Sequence, residues 1–305
     1  MTGVVAIQGL PSSARDASRL ASRLGVPMQE IEVHRFPDGE LRVTVGPAAS
    51  TIILYASLDR PNDKLVALLF AAEALRRDGV RRLVLVAPYL CYMRQDTAFR
   101  TGEAISQKVI GPLLAGVMDR IVTVDAHLHR TASIGAVFPG IESDNLSAMP
   151  AIAATLRTAG LDPQTIVVGP DAESRPWVSD LASRLGVAHA VARKERRSDR
   201  SVDIGFADPK QFAGRPVLIA DDIVSSGGTL IACARALAAA GAARVDAVVT
   251  HALFPETLVA EFARAGIRTI RSTDSVPHPT NTIALDGVLA EALRTELHAT
   301  PGQPS

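Results

Sequence analysis

Short runs of valine, isoleucine and leucine, bounded by turn residues, alternate with longer stretches of helical periodicity along nearly the whole chain. The runs VVAIQ (4–8), TIILYA (51–56), RLVLVAP (82–88) and RIVTVD (120–125) lie in the first half, and TIVVGP (165–170), HAVA (189–192), PVLIA (216–220) and VDAVVTHA (245–252) in the second. Runs this continuous predict strands buried on both faces, which requires mainly parallel sheets with helices on each side. The fold class expected is α/β, with two tandem doubly wound domains. In such sheets ligands bind beyond the carboxyl ends of the strands, so the residues just after each run are where chemistry is expected.

The two halves also resemble each other. LASRLGV occurs at 20–26 and again at 181–187, and in both halves an apolar strand, a polar loop and an apolar helix follow. Those helices end at LRRDG (75–79) and LAAAG (237–241), with glycine where a helix stops, and each leads into another strand. This is the pattern of an internal duplication with its boundary in SDNLSAMP (143–150). The domains expected are 1–146 and 147–298, and the Pro- and Gly-containing end, 299–305, reads as a flexible tail.

Composition narrows the function. Lys and Arg number 32 and Asp and Glu 32, so no global field draws the chain to nucleic acid or to an anionic membrane. With aromatics at 4% there is no interleaving of aromatic and basic residues for base stacking, and nucleic acid is not an expected partner. The N-terminus lacks a basic leader and no apolar run reaches the ~18 residues of a membrane span. Two cysteines in apolar stretches make neither a disulfide framework nor a zinc site. A soluble cytoplasmic protein is expected, holding any anionic ligand locally.

The sharpest local signal is PVLIADDIVSSGGTLIACARAL (216–237). A strand ends at Asp221 and Asp222, a small-residue loop follows, and an alanine-rich helix begins. Backbone N–H groups at that helix start, with Gly227 and Gly228 permitting close approach and Ser225, Ser226 and Thr229 adding hydroxyl donors, form a phosphate cradle. The two carboxylates can accept hydrogen bonds from vicinal sugar hydroxyls and attract Mg²⁺.

This string resembles the phosphoribosyl-binding signature of type I phosphoribosyltransferases and of ribose-phosphate pyrophosphokinases. The duplication favours the pyrophosphokinases, which look like two copies of the unit in tandem. Further segments resemble that family in order: FPDGE (36–40), PYLCYMRQD (88–96), VDAH (124–127), GPDAE (169–173) and RKERR (193–197). The GEAIS segment (102–106), taken with SSGGT, looks closer to its archaeal-type branch.

The resemblance implies transfer of the β,γ-diphosphoryl group of ATP to the anomeric hydroxyl of ribose 5-phosphate, giving phosphoribosyl diphosphate and AMP. It makes Lys194 and Arg196 catalytic residues of a mobile loop, and Asp221, Asp222 and the 225–229 loop the ribose 5-phosphate site. ATP is assigned to Phe36, Asp38, Glu40, Arg94, Gln95, Asp96 and His127. His127 and Asp171 are assigned to Mg²⁺, as one metal site shared by the two halves. The family's hairpin reaches into a neighbouring subunit, which implies a homo-oligomer whose nucleotide site a neighbour completes.

The chain departs from the family at Glu173 to Trp177, where glycine is usual soon after the Pro-Asp of this loop (Pro170-Asp171), so larger side chains are expected to narrow that pocket. Two alternatives keep part of the pattern: a phosphoribosyltransferase, and a noncatalytic synthetase-associated regulatory subunit.

Overall fold

The computed structural model describes residues 5–198 and 201–298, so the expected tail, 299–305, lies outside the described residues. The chain divides into two compact units: one runs up to Ser147 and takes in the segment from Leu285 onward, and the other is Ala148–Ala284.

The first unit follows in chain order as β1 (Val5–Gly9), α1 (Ala14–Leu24), β2 (Met28–Glu30), β3 (Glu32–Arg35), β4 (Leu41–Thr44), β5 (Thr51–Tyr55), α2 (Pro61–Arg77), β6 (Arg82–Ala87), α3 (Ser106–Ala115), β7 (Arg120–Val124), α4 (Ile134–Val137) and β8 (Glu142–Leu146). Six strands form one parallel sheet in the order β2-β1-β5-β6-β7-β8, and β3 with β4 makes a separate antiparallel ribbon. Ile52, Ile53, Leu54, Leu83, Val84 and Leu85 are fully enclosed, which accounts for the unbroken apolar runs.

The second unit repeats this plan. It contains α5 (Met149–Thr158), β9 (Ile166–Gly169), α6 (Arg175–Leu185), β10 (Ala188–Val191), β11 (Arg193–Ser198), β12 (Ser201–Gly205), β13 (Pro216–Val224), α7 (Gly228–Ala239), β14 (Arg244–Ala252), α8 (Leu258–Arg264), β15 (Ile267–Thr273) and β16 (Asn281–Ile283). Its parallel sheet has the order β10-β9-β13-β14-β15-β16, position for position that of the first, and β11 with β12 is its ribbon. The repeated LASRLGV ends α1 and α6 alike, with Gly25 and Gly186 both left-handed at φ 69°. The FPDGE and RKERR segments thus occupy equivalent ribbons, each between the second and third sheet strands of its unit.

The boundary expected in 143–150 falls there, between Ser147 and Ala148; the polar residues before it form most of β8, an edge strand parallel to β7. Two expectations change. Strand 216–220 continues to Val224, because the parallel pairing with β14 carries on through Asp221↔Val249 and Val224↔Ala252. The final helix, α9 (Asp286–His298), was assigned to the second half but packs on α1 of the first unit. In the second unit α5 packs on α6 in the same way, so the first unit's covering helix comes from the far end of the chain.

Candidate functional site

In each sheet the strand order reverses between the first and third sheet strands, β1 and β5 or β9 and β13. That reversal opens a crevice at their carboxyl ends. In the second unit Asp171 follows β9, and Asp221 to Thr229 run along and beyond the end of β13, so both flank the crevice.

Asp222 is buried and its Oδ1 accepts from the Ile223 N–H at 2.8 Å, while Asp221 Oδ1 accepts from the Asp222 N–H at 3.1 Å. Burial, and then the negative charges of Asp222 and Asp171, hold the Asp221 carboxyl well above its ordinary range. Three carboxylates this close favour a cation. Mg²⁺ takes one or two protein carboxylates and keeps several waters, so these residues fit it. Among the described residues no group of three or more His, Cys, Asp and Glu side chains is placed to hold a metal ion.

The loop that follows is shaped by Gly227, which caps α7 at φ 73°. A Cβ there would meet Phe262 at 2.6 and 2.8 Å, against a ring that is itself fully buried and edge-on to Phe254 at 5.0 Å. Gly227→Ala is therefore expected to cost about 2–4 kcal/mol, from left-handed strain and overpacking. Urea unfolding would measure this, and a loss below about 0.5 kcal/mol would mean the loop is not pinned by that contact.

Asp171 caps a short turn, its Oδ1 accepting from the N–H groups of Glu173 (3.2 Å) and Ser174 (3.3 Å). Gly169 is needed at the strand end because a Cβ would run into Ser174 Oγ. The Glu173 departure leaves an open cleft of about 420 Å³, lined by Asp171, Glu173, Arg175 and Arg193. Ser174 is buried and Glu173 stands exposed in the wall. Arg193 opens β11. Lys194 and Arg196, expected in an irregular loop, lie instead on a strand, paired with Ile204 and Val202 of β12. A charged strand forms here because only backbone groups pair in a ribbon and the partner SVDIG supplies β-branched residues.

In the first unit FPDGE closes the β3–β4 hairpin. Phe36 N–H donates to Glu40 O at 2.9 Å, the Glu40 N–H to Asp38 Oδ1 at 3.1 Å, and Gly39 takes φ 94°. The Phe36 ring is 37% exposed, with His34 edge-on at 4.8 Å. Arg94 is exposed beyond β6, and Gln95 O accepts from the Gln107 N–H.

Asp96 is not a lone carboxylate. Arg130 donates to it from its backbone N–H (3.0 Å) and from Nη1 (2.9 Å), and the Asp96 side chain is 2% exposed. Burial alone would raise its pKa; the Arg130 bonds and charge outweigh that and hold it below the usual range. A ligand meets Asp96 as one half of an ion pair. Arg130 was missed in the sequence, although it lies three residues after His127, because its partner is remote.

His127 emerges after β7, half-buried and edge-on to His129 at 3.8 Å between ring centres. The turn that presents it is tied to β8: Asp125, at φ 40°, donates its N–H to Leu146 O, and Ala126 N–H donates to Asn145 Oδ1, both at 2.8 Å. Asn145 is thus a positioning residue that sits in what reads as a linker.

The loop after β5 shows what the duplication did not keep. Its Lys64 Nζ donates to Asp59 Oδ1 at 2.6 Å and to Ser57 O at 2.8 Å, and the helix is capped by Arg60 in a left-handed conformation. An internal ion pair and a bulky cap stand here where the second copy has its glycines.

Residues 5–117 match the N-terminal domain of ribose phosphate pyrophosphokinase, and residues 148–262 the phosphoribosyl transferase domain. A ribose-phosphate pyrophosphokinase from Methanopyrus kandleri is 32% identical over 90% of this chain and 94% of its own length. Ribose-phosphate pyrophosphokinase 2 from Archaeoglobus fulgidus is 34% identical over 92% and 97%. The fold is also that of the crystal structure of phosphoribosylpyrophosphate synthetase from Mycobacterium smegmatis, with a TM-score of 0.82, 24% identity and coverage of 96% of this chain and 99% of that one.

Proposed function

The chain belongs to the ribose-phosphate pyrophosphokinase family, and from that premise we propose that it makes phosphoribosyl diphosphate and AMP from ATP and ribose 5-phosphate. The observation that carries this reading is the glycine-shaped cradle of Ser225 to Thr229, adjoining Asp221, Asp222 and Asp171 at the switch point of the second sheet. The cradle takes the 5-phosphate through backbone N–H groups and hydroxyls, and the aspartates take the ribose hydroxyls. The C1 hydroxyl oxygen attacks the β-phosphorus of ATP, the bond to the α-phosphoryl oxygen breaks, AMP leaves with its electron pair, and the hydroxyl proton passes to solvent. No covalent enzyme intermediate is needed, so the residues act by positioning and by charge.

ATP is assigned to Phe36, Asp38, Glu40, Arg94, Gln95, Asp96 and His127, with Arg130 holding Asp96. Mg²⁺ supplies neutralisation of the triphosphate, with His127 and Asp171 as its proposed contacts. Lys194 and Arg196 act on the transferring group. The exposed Phe36 supports a hairpin that completes a neighbour's nucleotide site. A homo-oligomer is further supported by apolar pairs left exposed on α2 (Val66 and Phe70) and α3 (Val109 and Leu113), on the sheet face that right-handed crossovers give both helices. No helix among the described residues is long and apolar enough to cross a membrane, which agrees with a cytoplasmic enzyme.

Purified protein with Mg²⁺ and both substrates is expected to release AMP in step with phosphoribosyl diphosphate, and no AMP without ribose 5-phosphate. Release of ADP alone, or binding of ribose 5-phosphate without turnover, would falsify the assignment in favour of an ordinary kinase or a noncatalytic subunit.

A further inference from the structure

The second sheet has a cavity of about 160 Å³ at its other end, where β13, β14 and β15 begin and α5 finishes. Leu156, Leu161 and Leu218 line it together with three arginines, Arg244, Arg268 and Arg271, and one acidic residue, Asp246. Arg244 stands 2.7 Å from Asp246, yet its buried Nε finds no aligned acceptor. Among the described residues the side chains of Arg268 and Arg271 have no hydrogen-bond or ion-pair partner.

The backbone is shaped to bring these groups together. Strict alternation would send Arg268 and Thr269 to opposite faces of β15. The register between β14 and β15 slips between Val245↔Ile267 and Ala247↔Ile270, so β15 carries an extra residue here. Bulges are rare between parallel strands and re-aim side chains. Through this one Arg268, Thr269 and Arg271 all line the same cavity.

We propose that this cavity is a second anion site, taking a phosphate-sized oxyanion between the guanidinium groups of Arg268 and Arg271 with the Thr269 hydroxyl as a further donor. Paired guanidinium groups match the oxygens of such an anion bidentately, and the unused cations outnumber the one carboxylate. The site is separate from the ribose 5-phosphate loop, since the nine-residue β14 runs roughly 26 Å from Arg244 at this end to Ala252 at the other.

Calorimetric titration of inorganic phosphate into the intact protein tests this, using wild type, R268A/R271A and S225A/T229A. The cavity variant is expected to lose one class of binding, weakened at least tenfold, and to keep the class that the loop variant loses. An isotherm unchanged by R268A/R271A overturns the proposal. So does an unchanged isotherm with an altered sedimentation coefficient, which would mean that the arginines receive a partner subunit's carboxylates. Should only S225A/T229A be without effect, the loop reading fails and the cavity stands. If R268A/R271A does not fold, wild-type crystals soaked in tungstate decide: an anomalous peak between Arg268 and Arg271 supports the site, and its absence at saturation overturns it.

Discussion

Alanine at Lys194 or at Arg196 is expected to lower kcat by on the order of 10²-fold or more, while KM for either substrate moves by far less. A hundredfold loss corresponds to about 2.7 kcal/mol of transition-state stabilisation, in the range for removing one charged contact to a group whose charge redistributes during transfer. The register on β11 places the two residues two positions apart, following directly on Arg193, which lines the cleft beside Asp171. Their backbone is anchored where the ribbon starts: Ala192 N–H donates to Gly169 O at 2.8 Å, at the strand end that carries Asp171. Beyond that anchor the ribbon belongs to neither six-stranded sheet. Steady-state kinetics on both variants, with Asp222→Ala alongside, separates the roles: the aspartate variant should raise KM for ribose 5-phosphate. Unchanged kcat with weakened affinity in the lysine and arginine variants would reduce them to ground-state phosphate binders.

The fold was legible where strands are buried on both faces. Thr51–Tyr55, Arg82–Ala87 and Arg120–Val124 are enclosed along their whole length or nearly so, and each shows in the sequence as an apolar run. Of the strands that face water on one side or lie at an edge, HAVA in β10 showed, but others did not. ESDNL in β8 and IRTIRST in β15 carry polar residues because their exposed positions cost nothing to leave polar, and β8 therefore reads as a linker. Ownership of α9 was not legible either. Amphipathic periodicity marks a helix but does not name its neighbour, and the neighbour is specified by ion pairs to residues more than 170 positions away.

For the site the same division holds. The candidate loop at 225–229 could be read because all its parts are contiguous: the glycines, the hydroxyls and the start of α7 follow one another in the chain. The groups that act across segments could not. Arg130 matters through Asp96, Asn145 through the turn before His127, and Phe262 through Gly227. The ribbon of β11 and β12 was misread for a related reason, since density of charge says that a segment is exposed and says little about whether its backbone is paired.

The largest effect on stability is expected from Glu296, on α9. Its carboxylate is 2% exposed, takes Arg82 Nε at 2.7 Å and Nη2 at 2.9 Å, and takes Arg120 Nη1 at 2.8 Å; the Arg120 side chain is itself only 9% exposed. Glu296→Ala removes the shared acceptor from two guanidinium groups, one of them enclosed, and breaking a buried pair from one side costs about 3–5 kcal/mol. Set against a total of roughly 5–15 kcal/mol for a folded protein, that loss should release the end of α9 from β6 and β7 well before the rest of the unit melts. Asp144, 2.8 Å from Arg120, and Glu142, 2.9 Å from Arg82, are more exposed and offset only part of it. The pH dependence fixes the sign. Burial would raise the Glu296 pKa, but the hydrogen bonds and charges of Arg82 and Arg120 outweigh it and leave the folded-state value below the ordinary one. A carboxylate depressed on folding contributes its full stability above its unfolded pKa of about 4.3 and loses it as pH falls through the folded value. The gap in unfolding free energy between wild type and Glu296→Gln, which keeps shape and one acceptor, should therefore be widest above about pH 5 and narrow steadily as pH falls below the unfolded value. Urea titrations across that range decide the matter, since a gap that stays constant with pH would show that Glu296 contributes by packing and not by charge.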